Sequence, residues 1–212
     1  MNDPIFVPES EADAYQCIFA NKATLFIFAL NFQFSVQLFE FLERGGGPPS
    51  VGVFGFPFTL YRMIAARDGA LNIYHFKCSL DALKKQLPTS PTIAKYVDAI
   101  KVREALKQFN KYFPNTDNIR HAISHAGEMQ PTPRRQKQNI QKKDESFHGG
   151  ASGAGGLFMG AIYEKTYTVG IEGTVFSVSL DNESIRKLNH TISMIDEAFQ
   201  GASAPTVPQP KN

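Results

Sequence analysis

The sequence predicts a mainly α-helical protein, an antiparallel bundle of four to five helices with a small antiparallel β-sheet insertion before the C-terminal helix. Three observations predict this fold. Long stretches with almost no proline or glycine alternate with short proline- and glycine-rich breaks, as in a helical bundle. Short alternating segments follow, and they are typical of strands. Residues 182–200 then repeat their apolar side chains at helical spacing.

One long helix, or two with a bend near Asn21-Lys22, is expected over residues 10–44, where no proline or glycine interrupts the chain. The chain has 18 phenylalanines and no tryptophan, and the phenylalanines crowd its first third. They fall on several faces of this helix. This distribution predicts that the helix is buried on several sides, one of which would be a subunit interface. Polar side chains interrupt the apolar run 24–42, so we expect a buried helix rather than a membrane span.

The remaining helices are expected at 57–86, 90–112, in a short segment after Pro114, and after Asp181 or Asn182. Strands are expected at 157–164, 167–171 and 175–180, with turns at Lys165-Thr166 and Glu172-Gly173. The predicted organisation is a helical bundle at 10–130, a basic and glycine-rich flexible loop at 131–156, strands and the C-terminal helix packed on the bundle at 157–200, and a disordered tail at 201–212.

Charge and cysteine content favour an ordinary intracellular protein. The net charge of +2 is too balanced to indicate nucleic-acid binding from composition alone. Two cysteines, Cys17 and Cys78, are too few for a disulfide scaffold, so a reducing compartment is favoured. The N-terminus is acidic and lacks the basic region of a signal peptide. We therefore expect a cytoplasmic protein without a membrane segment.

A dense polar cluster lies in residues 115–128, on the short helix after Pro114. Its chemistry-bearing side chains are Arg120, His121, Ser124 and His125. On an ideal helix, side chains four positions apart, such as the two histidines, lie about 40° apart around the axis. Arg120 and His125 are five positions apart, which separates them by roughly 140°. The cluster is therefore expected to be half of a site, completed by a neighbouring helix or a second copy of the chain.

The run Arg120-His121-Ala122-Ile123-Ser124-His125, on a late helix of the predicted bundle, resembles the arginine-x(4–6)-histidine motif of HEPN domains (higher eukaryote and prokaryote nucleotide-binding). The resemblance covers residues 10–130, and His121 stands where asparagine or aspartate is more usual. It implies a metal-independent endoribonuclease or RNA-binding protein, a homodimer whose two motifs meet in one cleft, and no cofactor. It also implies a role in prokaryotic defence or toxin–antitoxin systems, with an antitoxin or other partner protein.

The residue types suit the implied reaction. Histidine takes up and releases protons near neutral pH, so His125 would serve as base towards the ribose 2′-hydroxyl or as acid towards the leaving oxygen. Arg120 would hold the phosphate through two parallel hydrogen bonds. His121 or Ser124 would orient the phosphate or replace His125 in proton transfer. A reaction that uses the 2′-hydroxyl is restricted to RNA.

Other interpretations remain open. The cluster also suits a polar helix that makes caps and surface ion pairs. The chain would then be a non-catalytic, oligomeric interaction domain that uses its phenylalanine-rich first helix, or would bind or transfer nucleotides together with a second protein. The pair Arg67-Asp68 either lines the same cleft or, as we favour, forms a solvated stripe. His75 is expected to be a core or edge histidine.

Basic residues after the cluster are candidates for RNA binding. Arg134, Arg135 and Lys137 would contact phosphates without sequence specificity, because no aromatic side chain lies among them to stack on bases. The two histidines of the cluster have the spacing of metal ligands, but no third ligand follows at a familiar spacing, so no metal site is predicted. The glycine-rich segment 149–156 lacks the lysine and hydroxyl residue that end a phosphate-binding loop.

Overall fold

The computed structural model of the chain describes residues 5–45, 57–125, 132–134 and 160–202, with the backbone alone for 57–59. The described chain is mainly helical (73%), with six helices and a three-stranded antiparallel sheet before the C-terminal helix. The predicted fold class is therefore confirmed. Most of the predicted flexible loop 131–156 and of the predicted disordered tail lies outside the described residues, as do residues 157–159 of the first predicted strand.

The elements follow the predicted order. Their bounds are α1 Ala12–Glu43, α2 Pro57–Gln86, α3 Pro91–Ala94, α4 Ala99–Tyr112, α5 Thr116–Ser124, β1 Ala161–Tyr163, β2 Thr166–Ile171, β3 Thr174–Ser179 and α6 Asn182–Ala198. Short 3₁₀ turns, Glu9–Glu11 and Leu87–Thr89, precede α1 and follow α2.

The prediction of one helix over 90–112 is wrong, since this segment forms α3 and α4 with a turn between them. Asp98 caps α4, because its Oδ1 accepts hydrogen bonds from the backbone N–H groups of Ile100 (2.9 Å) and Lys101 (3.1 Å). Val97, in the turn, is buried like the apolar residues of the helices on either side. The apolar spacing therefore continued through the break and concealed it.

The chain divides into two compact units. The first consists of Met1–Ala29, His75–Tyr112 and Arg186–Asn212. In its core the rings of Phe76 and Phe109 stack with centroids 5.3 Å apart, and both side chains are fully buried.

A carboxylate ties the start of α1 to α3 in this unit. Oε2 of Glu11 accepts hydrogen bonds from the Ser90 hydroxyl (2.6 Å) and the Thr92 backbone N–H (3.0 Å), and Oε1 accepts one from the Thr92 hydroxyl (3.0 Å). These bonds, that of Ser90 foremost, hold the pKa of Glu11 below its ordinary value. Both oxygens of this carboxylate are thus engaged in holding the fold.

The second unit consists of Leu30–Tyr74 and Phe113–Ile185. Its sheet has the order β1-β2-β3, with Ile162 opposite Tyr167 in the first antiparallel pair. Helix α5 packs on β2 and β3. Gly69 of α2 allows close packing, because a Cβ atom there would lie 2.7 Å from Cδ2 of Leu180 and would require that side chain to shift.

Within the described chain, helix α1 has one buried and one exposed apolar side, so burial on several sides stays a prediction that requires a subunit interface on the exposed side. Its buried apolar residues include Ile18, Leu25, Phe32, Val36, Phe39 and Leu42. Its exposed large apolar residues are Phe26, Ile27, Phe34, Leu38 and Phe41.

By length and composition alone, the helical stretch Glu9–Glu43 would also cross a membrane. Its mean hydropathy is 1.5, and 39% of its most apolar window is buried. Core helices of soluble proteins and signal sequences share these features, so the cytoplasmic location remains a prediction.

Candidate functional site

Helix α5 carries the polar cluster on a short amphipathic scaffold. Asn115 precedes the helix in the left-handed conformation (φ 64°), which asparagine tolerates better than most residues, and its side chain makes no capping hydrogen bond. Ile119, Ala122 and Ile123 are buried, and the helix packs on β2 and β3. Burial of this apolar side leaves the polar side chains at the surface, as the sequence pattern predicted.

Arg120 lies against an aromatic ring of α2. Its Cζ atom is 5.5 Å from the centroid of the Tyr74 ring, within the range of a cation–π interaction, and the residue is half-buried. This contact orients the guanidinium while leaving the edge that carries its N–H groups available to an anion. Sequence analysis missed Tyr74, because no local spacing connects it to a residue 46 positions later in the chain.

His121 and His125 form a ring pair at the C-terminal end of α5. Their centroids are 4.4 Å apart, with the ring planes inclined by 44°. His125 lies one residue beyond the helix, and its backbone N–H still donates to the carbonyl of His121 at 3.0 Å. The helical spacing of the pair is therefore retained where the helix ends. His121 and Ser124 are exposed, and His125 is half-buried.

The described contacts thus join the cluster into two pairs, His121 with His125 and Arg120 with Tyr74. This pairing accords with the roughly 140° offset expected between Arg120 and His125 from helical geometry.

The other predicted residues lie elsewhere. Arg134 is exposed, and Arg135 and Lys137 lie outside the described residues. His75 is an edge histidine, since it is exposed and its ring stacks on Phe28 with centroids 5.3 Å apart.

A cavity of about 420 Å³ lies between α1 and α2 within the second unit. Its rim is apolar and includes Phe34, Leu38 and Ile64, and its polar lining includes Ser35, Asp68 and Asn72. Arg67 and Asp68 are both exposed, as the solvated-stripe interpretation expected, and Asp68 also lines this cavity. Its polar and apolar residues come from two helices, and neither helix alone indicates it.

Tyr167 of β2 is a buried titratable group of the second unit. It is 2% exposed, and burial raises the pKa of its hydroxyl to about 12, against a small opposing effect of Arg67. Lys165 directly precedes β2, and its hydrogen bond to Glu40 (2.6 Å) raises the pKa of its ammonium group.

Within the described ranges, no group of three or more histidine, cysteine, aspartate or glutamate side chains is placed to hold a metal ion. No protein-family model, no curated protein and no solved structure matches this chain. The HEPN resemblance therefore rests on the residues of α5 and their setting.

Proposed function

We propose that this chain is a HEPN-like RNA-binding protein that cleaves RNA without a metal ion and acts as a homodimer. The observation that carries the proposal is the histidine pair at the end of α5, with ring centroids 4.4 Å apart and Arg120 directly before it in sequence. Two adjacent imidazoles supply one group to accept a proton and one to donate a proton.

Each residue has a role that its position permits. His125 would accept the proton of the 2′-hydroxyl, and the more exposed His121 would donate a proton to the leaving oxygen or orient the phosphate. Arg120, held over the Tyr74 ring, would present its N–H edge to the phosphate as negative charge develops. Ser124 is exposed beside them and would assist in binding.

A second copy enters the proposal for a geometric reason. Because Arg120 and His125 are about 140° apart on an ideal helix, a second copy would bring an arginine and a histidine together more directly than a single α5 does. Two copies of α5 facing each other would place the arginine of one chain beside the histidine of the other. The contacts of Arg120 with Tyr74 and of His125 with His121 are made within one chain. The cleft between two copies would form when the chains associate.

The test is cleavage of labelled RNA in the presence of EDTA. Wild-type protein is expected to cleave, and His125→Ala to lower the rate about 100-fold or more, the usual loss for a proton-transfer group. Arg120→Ala is expected to lower both binding and cleavage. His75→Ala and Arg103→Ala are matched controls, since both residues are exposed and belong to the first unit, and they should leave the rate unchanged.

Absence of both cleavage and RNA binding by the wild type would refute the proposal, as would cleavage undiminished in both α5 variants. Binding without cleavage, lost in Arg120→Ala, would retain the RNA-binding half of the proposal and reject the catalytic half.

A second candidate function is a non-catalytic oligomeric interaction domain, favoured by the exposed apolar face of the second unit. Phe34, Leu38 and Phe41 of α1 follow one another at spacings of four and three residues, and they are 55%, 47% and 57% exposed. Leu60 and Ile64 of α2 are 63% and 59% exposed. This spacing is typical of helices that pair with one another, so a second copy of the chain is the proposed occupant.

Sedimentation equilibrium tests this candidate. The wild type is expected to dimerise, and Phe34→Glu to shift it to monomer, while Gln37→Glu, an equal change of charge at an exposed position of the same helix, should not. A wild type that stays monomeric at all concentrations would exclude this face as the interface. If Phe34→Glu yields a monomer that no longer cleaves RNA, the two candidates describe one protein.

A further inference from the structure

We propose that the cavity between α1 and α2 of the second unit binds an organic cation, an ammonium or guanidinium group on an aliphatic stem, with its charged head on Asp68. The inference is independent of RNA cleavage, because it uses none of the residues of α5. It rests on three features of the cavity: a fixed carboxylate, the absence of a described cation beside it, and an apolar rim.

Hydrogen bonds from two buried side chains hold the carboxylate of Asp68 in place. Its Oδ2 lies 2.6 Å from the Ser35 hydroxyl and 3.0 Å from Nδ2 of Asn72. Ser35 and Asn72 are 4% and 7% exposed. The Ser35 hydroxyl is also 2.9 Å from the carbonyl oxygen of Asn31, and its contact with Asp68 is the shorter of the two. Buried donors on one oxygen fix the orientation of the group.

The described residues provide no counter-charge for this carboxylate. No salt bridge joins Asp68 to a described lysine, arginine or histidine, and no described residue donates to its Oδ1. Arg62, nearby on the same helix, is engaged elsewhere, since its Cζ lies 4.8 Å from the Phe39 ring centroid and its Nη2 lies 3.4 Å from Glu43. Asp68 therefore presents an unused acceptor atom at the cavity.

The rim decides what kind of cation fits. Phe34, Leu38 and Ile64 are 55%, 47% and 59% exposed and surround the polar lining. The volume, about 420 Å³, lies in the range of small-molecule sites. A hydrated metal ion gains nothing from large apolar side chains, and a purely apolar ligand gains nothing from a fixed carboxylate. The combination selects an amphipathic cation.

Two sources offer this chemistry: a free amine, or the lysine or arginine side chain of another protein molecule. The experiment uses n-hexylammonium as the probe and n-hexanol as its neutral counterpart, with affinities from ligand-observed NMR. The wild type is expected to bind hexylammonium about tenfold or more tightly than hexanol, the usual scale of a charge-assisted hydrogen bond.

Asp68→Asn should abolish this preference while leaving hexanol binding unchanged. Asp81→Asn, a change of the same kind on the same helix but in the first unit, should preserve it. Ile64→Ala tests the rim separately and should weaken the binding of both probes by a similar factor. Equal affinity of the wild type for the two probes would overturn the proposal, as would a preference that survives in Asp68→Asn.

Sedimentation then separates the two sources. If the natural head group is a side chain of a second copy, both hexylammonium and Asp68→Asn should dissociate the dimer, whereas a free amine would leave the oligomeric state unchanged. RNA cleavage by Asp68→Asn should match the wild type if a free amine is the source, and should fall as the dimer dissociates if a second copy is the source. Arg120→Ala leaves the cavity intact and should bind hexylammonium like the wild type in either case, so failure of this proposal is distinguishable from failure of the proposed function.

Discussion

Glu11 in the first unit and Asp68 in the second both accept a 2.6 Å hydrogen bond from the hydroxyl of a buried serine, but the rest of their surroundings differ. Thr92 occupies the remaining acceptor positions of Glu11 through its backbone and its hydroxyl. Asp68 has both of its described side-chain donors on Oδ2, and it lines a cavity. A carboxylate that joins elements of a fold has both oxygens engaged, whereas one with a spare oxygen at a cavity is placed to receive a ligand.

The core beneath Asp68 provides the largest expected effect. Phe32 is fully buried next to Gly69 and Ser35, whereas Phe34, two residues along α1, is 55% exposed on the cavity rim. Phe32→Ala should lower the free energy of unfolding by about 3–5 kcal/mol, because it leaves a void that the core cannot fill. Phe34→Ala should change it by about 0.5 kcal/mol or less. Urea unfolding at neutral pH measures both.

Equal losses for the two phenylalanines would contradict the assignment of a buried and an exposed side to α1. A loss for Phe34→Ala that grows with protein concentration would instead indicate that a second copy covers this side.

The second unit should lose stability in alkali through Tyr167. Its pKa is raised by burial from 10.0 to about 12, so the folded state holds the proton more tightly than the unfolded chain. The contribution is fully present below pH 10 and is lost as the pH rises towards 12, a loss of about 2–3 kcal/mol. Tyr167→Phe should flatten this part of the pH profile, measured by urea unfolding between pH 9 and 12.

Tyr163→Phe is the matched control, since Tyr163 lies on the neighbouring strand and is 47% exposed. Tyr163→Phe should retain the wild-type dependence of the free energy of unfolding on pH. Part of that dependence is due to the Lys165 ammonium group, whose raised pKa also lowers stability as the pH rises. Identical slopes for the two variants would show that Tyr167 is not the titrating group.

The smallest effect is expected in acid, from Glu11 of the first unit. Its pKa is lowered from 4.5 by the hydrogen bond of Ser90, so its contribution is present above pH 4.5 and is lost as the pH falls through the folded-state value. Glu11→Gln should make the free energy of unfolding, measured by urea unfolding, less dependent on pH in this range. Glu9→Gln, a change in the same 3₁₀ turn, should leave the acid profile as it is. A steeper profile for Glu11→Gln would contradict the assigned direction.

Local patterns predicted much of the fold and part of the candidate site. The spacing of His121 and His125 anticipated their ring contact, because residues four apart on a helix are neighbours wherever the helix lies. Asp181 or Asn182 was predicted to cap the last helix, and it is Asp181 whose Oδ1 accepts a hydrogen bond from the backbone N–H of Ser184 at 2.7 Å. The turn before Asp98 was missed because a buried residue within it continued the apolar spacing.

The site residues that sequence analysis missed are those brought together over long distances in the chain. Tyr74 meets Arg120 only through the packing of α2 and α5 within the second unit. Asp68 was noted beside Arg67, but its relation to Ser35 depends on how α1 and α2 are set against each other. The periodicity of a sequence predicts which residues are neighbours on one helix, but it does not predict which residues of two helices meet.

Apart from the break between α3 and α4, the sequence by itself determined the helices and strands, their order, the polar side of α5 and the apolar character of α1, because each depends on residues that are close in the chain. Only the tertiary structure decided which side of α1 is buried, which ring supports Arg120, and which carboxylate keeps an unused oxygen at a cavity. Those outcomes depend on pairs of residues tens of positions apart, whose meeting is set by close packing of the core rather than by local preference.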